Sequence, residues 1–148
     1  AMELYLDSAD PDGIPPFDVR VGQKISFNVT RVNRYFGSPQ IVGVTDMTQV
    51  SDNAPVYLWT PERPLRHTDV HRAVRVTGTL EGEYRECGQG YACWDVAYSQ
   101  FGRVILRAEM PRVRLLRQGS CLTFVGPLGI FENDLQLDVS NRSWLTVY

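Results

Sequence analysis

Apolar and polar residues alternate with a period of two along most of this chain. Ile25, Phe27, Val29 and Arg31 interleave with Ser26, Asn28, Thr30 and Val32. β-branched residues favour a pleated backbone, so a strand is predicted over 23–35. Gly37-Ser38-Pro39 then makes a turn, a second strand covers 40–47 and a third 56–59, where Pro61 and Pro64 end it. Thr68 is placed to cap a short helix running to His71 or Ala73. Strand pattern resumes over 74–84, 94–99, 104–108, 113–116, 122–125, 135–139 and 144–148, punctuated by Gly-rich and polar turns. The fold class is therefore all-β, with one short helix.

Ahead of the first strand, residues 1–22 carry Asp7, Asp10, Pro11, Asp12, Gly13, Pro15 and Pro16. These favour turns and remove backbone donors, so 1–22 reads as an extended N-terminal segment. Residues 23–148 then read as a single β domain. Ala1-Met2 reads as a tag-cleavage scar, implying a start inside a longer precursor whose targeting segment has been removed.

One weak internal echo runs through the chain. Val29-Thr30-Arg31-Val32 through Tyr35 to Gln40-Ile41 aligns without gaps with Val125-Gly126-Pro127-Leu128 through Phe131 to Gln136-Leu137, and Thr77-Gly78-Thr79-Leu80 repeats the opening. This reads as recurrent hairpin geometry rather than duplicated domains.

The arrangement of residues 23–99 resembles an OB-fold. Val29-Thr30-Arg31-Val32, Gln40-Ile41-Val42 and Val56-Tyr57-Leu58-Trp59 look like its first three strands, with 65–71 at the place of its connecting helix. Val74-Arg75-Val76-Thr77-Gly78-Thr79-Leu80 is similar to its fourth strand, and Trp94 to Tyr98 to its fifth. Residues 103–148 then exceed the minimal fold and serve as extra C-terminal strands, extending the antiparallel barrel wall or covering an edge. The resemblance implies ligand binding on strands two and three. There Tyr35, Phe36, Tyr57 and Trp59, with Arg31 and Arg34, offer rings for stacking and cations for phosphate. Alternation sends every second residue inward, so a core role for about half of these rings is the competing reading.

Charge and cysteine content narrow the function classes. Among 148 residues, 43% are apolar and 22% charged, with a net charge of −2. That balance disfavours a protein built mainly to grip nucleic acid. All basic residues except Lys24 are arginine, from GC-rich coding or from selection for bidentate hydrogen bonding. No apolar run approaches the ~18 residues of a membrane span.

Cys87 and Cys93 flank Gly88-Gln89-Gly90-Tyr91-Ala92, a hairpin-sized loop. A hairpin brings such positions within the roughly 4.4–6.8 Å that a disulfide needs, and a bridge implies an oxidising compartment. Two reduced cysteines are the alternative, and Cys121 reads as a buried small hydrophobe.

Arg103, Arg107, Arg112, Arg114 and Arg117 form a basic run, which suits an anionic partner or a solvated strand face. His67 and His71 would share a helix face, but the Glu of the H-E-x-x-H pattern is missing. Glu132, Asp134 and Asp138 fit no calcium loop. No nucleophile elbow, P-loop or dinucleotide fingerprint is present, so neither catalysis, metal nor cofactor is expected. The reading is a non-catalytic interaction module of an exported bacterial protein, periplasmic, outer-membrane-associated or extracellular. Its partner would be another cell-envelope protein, and a single-stranded nucleic-acid-binding OB module is the alternative.

Overall fold

The structure, a computed structural model, describes residues 3–5, 15–88, 90–109, 116–139 and 142–148. Ala1-Met2, residues 6–14 of the N-terminal segment and the strand expected over 113–116 (except Leu116) lie outside the described residues. Where the sequence predicts one domain over 23–148, the chain divides into two compact units, Ala1–Tyr57 and Leu58–Tyr148.

The first unit is a three-stranded sheet, β1 (Glu3–Leu4), β3 (Ser38–Ser51) and β2 (Lys24–Tyr35), in the order β1-β3-β2. β1 runs parallel to β3, and β2 pairs antiparallel with it through several register shifts. The turn between them is two residues, Phe36 and Gly37, both at positive φ, as a type I′ hairpin requires. From Asn28 to Gly37 every residue is exposed. A strand bare on both faces cannot be a barrel wall, although its sequence alternation is good.

In the second unit the alternation does close a barrel. β4 (Ala73–Glu86), β5 (Tyr91–Ala97), β6 (Arg103–Glu109), β8 (Asp134–Val139) and β7 (Cys121–Phe131) hydrogen-bond in that order, and β7 returns to β4. All neighbours are antiparallel except β6 and β8, which run parallel. β9 (Leu145–Val147) adds to β7. The result is all-β and OB-like, a five-stranded ring with its edges paired.

The fold class therefore stands, but of the five strands on which the resemblance falls only two, 74–80 and 94–98, lie in the ring. Val74–Leu80 belongs to the ring's first strand rather than its fourth, and of the two alternatives for the C-terminal strands the ring takes the first, with β6, β7 and β8 as barrel wall. Residues 56–59 form no strand; Trp59 makes only an isolated bridge to Val74.

Inside the ring sit Val74, Val76, Leu80, Trp94, Val96, Leu106, Leu122, Phe124, Leu128 and Leu137, all buried. Each such aliphatic or aromatic side chain contributes about 1.5–3 kcal/mol by leaving water. β4 serves two neighbours: residues 73–79 pair with β7 and 79–86 with β5. Gly78 lies at that handover, where a Cβ would stand 2.4 Å from the Ala97 carbonyl oxygen. Such close backbone approach is a glycine's role in a closing strand.

The expected helix is instead a 3-10 turn, His67–Asp69. Its cap is not Thr68: the Arg66 amide donates to the Asp69 carboxylate at 3.0 Å, so the carboxylate reaches back across the turn. The two aligned hairpins share one geometry. Glu132 and Asn133, between β7 and β8, repeat the paired positive φ of Phe36 and Gly37. Among the described residues, no helix is long and apolar enough to cross a membrane.

Candidate functional site

Because Ala92, Trp94, Val96, Val104, Leu106 and Ala108 fill the ring, the residues between them on β5 and β6 face outward. These are Tyr91, Cys93, Asp95 and Ala97 opposite Glu109, Arg107, Ile105 and Arg103. The parallel pairing of β6 with β8 sets Asp138 beside Arg107.

Arg107 is the centre of this face. Its guanidinium carbon lies 3.7 Å from the centroid of the Tyr91 ring, and it donates to Asp138 through Nη1. Stacking over the ring and pairing with the carboxylate together hold the planar group in one orientation. Two further arginines are similarly matched, Arg85 with Asp95 at 3.2 Å and Arg103 with Glu81. Each of the three cations is matched by a carboxylate and Glu109 adds a fourth, so this face carries no net positive charge. Each guanidinium still has five donors, and one carboxylate does not use them all.

The loop beside Tyr91 is held covalently. Cys87 and Cys93 form a disulfide, with Cα atoms 5.8 Å apart. The Cys87 amide donates to Tyr91 O and the Tyr91 amide to Gly88 O, both at 3.2 Å. Gly88 and Gly90 take positive φ, which lets so short a loop turn. Cys121, expected to be buried, is instead exposed at the start of β7, because it occupies an outward position there.

The ligand residues anticipated from sequence are divided between the two units. Arg31, Arg34 and Tyr35 lie together on the β2–β3 ribbon. Arg31 Nη2 donates to Val42 O at 3.2 Å, and the Tyr35 ring meets Phe36 edge-on at 4.6 Å. Tyr57 is 85% exposed, outside any strand, so it shares no strand face with Trp59.

Trp59 is half-buried against the ring's core and flanked by cations. The guanidinium carbons of Arg63 and Arg72 lie 5.1 and 4.9 Å from its ring centroid. Arg63 in turn grips the buried Asp69 carboxylate with bonds of 2.8 and 2.7 Å. The Arg63 hydrogen bonds hold the Asp69 pKa below the usual carboxylate range, against the opposing effect of burial. This cluster fastens the 59–72 segment to the barrel rather than offering a bare ring for stacking.

Of the anionic-partner patch, Arg103 and Arg107 share the outer face of β6, four residues apart, while Arg112 and Arg114 lie outside the described residues. His67 contacts Asn133 O through Nε2 at 3.1 Å, and His71 follows the 3-10 turn at positive φ, so they share no helix face. Among the described residues no group of three or more His, Cys, Asp or Glu is placed to hold a metal ion.

Sequence reasoning missed Tyr91, which it left inside the Gly-rich loop. The available signal was its position two residues before Cys93, hence on the same strand face.

No family model and no curated protein matches this chain. Solved structures do resemble it. A complex of TiaS with a tRNA, AMPCPP and agmatine is 22% identical over 55% of this chain and 21% of that one, with a TM-score of 0.42. A tRNA fluorescent labelling enzyme gives 22% identity, 55% and 20% coverage, and a TM-score of 0.44. A replication protein A heterotrimer bound to single-stranded DNA gives 10% identity, 51% and 57% coverage, and a TM-score of 0.41. The first two matches span only about a fifth of those proteins. The expectation of an exported cell-envelope interaction module is corrected by this set, which consists of structures of tRNA-related enzymes and of replication protein A bound to single-stranded DNA.

Proposed function

We propose that the second unit is a non-catalytic, single-stranded nucleic-acid-binding OB module that contacts its ligand through the outer face of β5 and β6. The observation that carries this reading is the Arg107 guanidinium laid over the Tyr91 ring. Backed by the ring and steered by Asp138, it presents a flat cationic surface suited to an unstacked base. Arg85 and Arg103 supply donors for the flanking phosphates, and Asp95 and Glu109 accept from base amino groups.

Carboxylate pairing makes this a stacking site more than an electrostatic one. With at most three phosphates neutralised, the salt slope reaches only about −2 for a single strand, roughly a twentyfold loss of affinity between about 50 and 200 mM salt. The Cys87–Cys93 bridge supports a compartment oxidising enough to keep it closed.

Fluorescence anisotropy with a labelled single-stranded oligonucleotide tests the proposal. Wild-type protein binds at low salt, and Arg107→Ala weakens binding by about tenfold or more, as the loss of a stacking partner does. Equal affinity in the two proteins would remove Arg107 from the interface and this reading with it.

A further inference from the structure

The echo between the two hairpins extends from sequence to strand pairing. In the β7–β8 hairpin Leu128 faces Leu137, Gly129 faces Gln136, Ile130 faces Leu135 and Phe131 faces Asp134. Moved back by 96 positions, these become Val32 with Ile41, Asn33 with Gln40, Arg34 with Pro39 and Tyr35 with Ser38, which are the pairs that close β2–β3. The flanking strand agrees as well. β1 runs parallel to β3 with Glu3 and Leu4 opposite Gln40 and Ile41, and β6 runs parallel to β8 with Ile105 and Leu106 opposite Gln136 and Leu137. In order and register, β1-β3-β2 therefore repeats β6-β8-β7, three neighbouring strands of the ring.

The next neighbour is what the first unit lacks. In the ring, residues 121–127 of β7 are held antiparallel by residues 73–79 of β4, and β5 backs β4 in turn. The counterpart stretch of β2, residues 25–30, pairs with β3 on one side, and on the other β2 ends its sheet among the described residues. Burial records the difference. Leu128 and Leu137 are fully buried, whereas Val32 in the place of Leu128 is 60% exposed and Ile41 in the place of Leu137 is only half-buried. Val44 is the single buried apolar side chain among the described residues of the first unit. A sheet this small needs a covered apolar face to be stable, and an uncovered strand edge is a template for a further strand.

We infer that the first unit is the closing part of a second OB-like ring, and that the open edge of β2 takes an antiparallel strand in the place β4 holds on β7. The occupant is a polypeptide strand with apolar residues at alternate positions, backed by a second strand as β5 backs β4. It comes from outside the described residues, since β4 to β9 are all paired within the second unit. A second copy of β2 suits this edge poorly. β2 carries Lys24, Arg31 and Arg34 and no carboxylate, and like charges facing across strands are destabilising. Main-chain hydrogen bonds supply the affinity of such an added strand, and its apolar side chains supply the specificity. β2 is bare on both faces as it stands and becomes a barrel wall only with that strand in place. This contact is independent of the nucleic-acid reading, which concerns the second unit.

Residue-resolved amide hydrogen exchange of the full chain tests it, with and without a synthetic peptide of residues 73–97 closed by its own Cys87–Cys93 bridge. That peptide supplies β4 backed by β5. In the chain alone, the β2 amides not bonded to β3 are expected to exchange at nearly unprotected rates at every protein concentration. With the peptide in excess, those between 25 and 30 are expected to slow by about tenfold or more. Val32→Glu, a change at an exposed position, is expected to abolish that slowing. Protection that rises with protein concentration in the absence of peptide would place a second copy on the edge and overturn the occupant named here. Protection at every concentration would mean an edge already covered, and would overturn the docking site, as would β2 exchange that the peptide leaves unchanged. Full slowing retained in Val32→Glu would overturn the ring closure.

Discussion

Replacing Gly78 by alanine should destabilise the second unit, although strand propensity alone says the reverse. Glycine in a strand interior is worse than alanine by roughly 0.5–1 kcal/mol, so an unconstrained site would gain from the change. At Gly78 the new Cβ would stand 2.4 Å from Ala97 O, 2.7 Å from Val96 Cγ1 and 3.1 Å from Ala97 C. Two of those three atoms are backbone of the neighbouring wall, so rotamer adjustment cannot relieve the overlap. Overpacking of this kind costs about 1–3 kcal/mol, occasionally more, and a rigid obstacle places Gly78→Ala at the upper end. Subtracting the propensity gain leaves a loss of about 2 kcal/mol.

Gly129 is the internal control. It lies on β7, but its Cβ would meet nothing closer than 3.8 Å, so Gly129→Ala should be neutral or slightly stabilising. Urea unfolding followed by tryptophan fluorescence reads both, since Trp94 is buried inside the ring. A Gly78→Ala protein as stable as wild type would refute the close approach of β4 to β5, and with it the ring closure.

Three further outcomes follow from the same geometry. Asp69 has a depressed pKa, so its contribution is present above the unfolded value of about 3.9 and is lost as pH falls through the lower folded value. Wild-type stability should fall on acidification below about pH 4, and Asp69→Asn should flatten that limb while lowering stability at neutral pH; parallel acid limbs in the two proteins would contradict this. Opening the Cys87–Cys93 bridge removes a constraint worth about 2 kcal/mol for so short a loop, seen as a lower urea midpoint in Cys87→Ser/Cys93→Ser. Thiol titration of the native protein should find one reactive group, Cys121, and three after reduction and unfolding; three without reduction would remove the bridge.

Local features were legible in the sequence and long-range closure was not. The disulfide could be read because Cys87 and Cys93 lie across one short hairpin, where spacing dictates distance. Strands over 74–84, 104–108 and 135–139 could be read because one face of each is buried, so their alternation is strict. Nothing local distinguishes those strands from β2, whose alternation is as good although most of its residues are exposed. The pairing of Thr79 with Cys121, and of Arg107 with Asp138, spans dozens of residues, and it alone decides which strands form the barrel. Trp59 illustrates the same limit. Alternation put it on a strand face with Tyr57, but Pro55, Pro61 and Pro64 interrupt the region, and its ring ends up between Arg63 and Arg72.

The claim that the outer face of β5 and β6 takes single-stranded nucleic acid is tested most directly by photocrosslinking. A strand carrying 5-iodouracil is bound to the wild-type protein at low salt and irradiated, and the crosslinked peptides are identified by mass spectrometry. Crosslinks at Tyr91, the ring against which Arg107 stacks, are the predicted result. Efficient crosslinking that leaves Tyr91 and its neighbours on β5 and β6 unmodified would contradict the account.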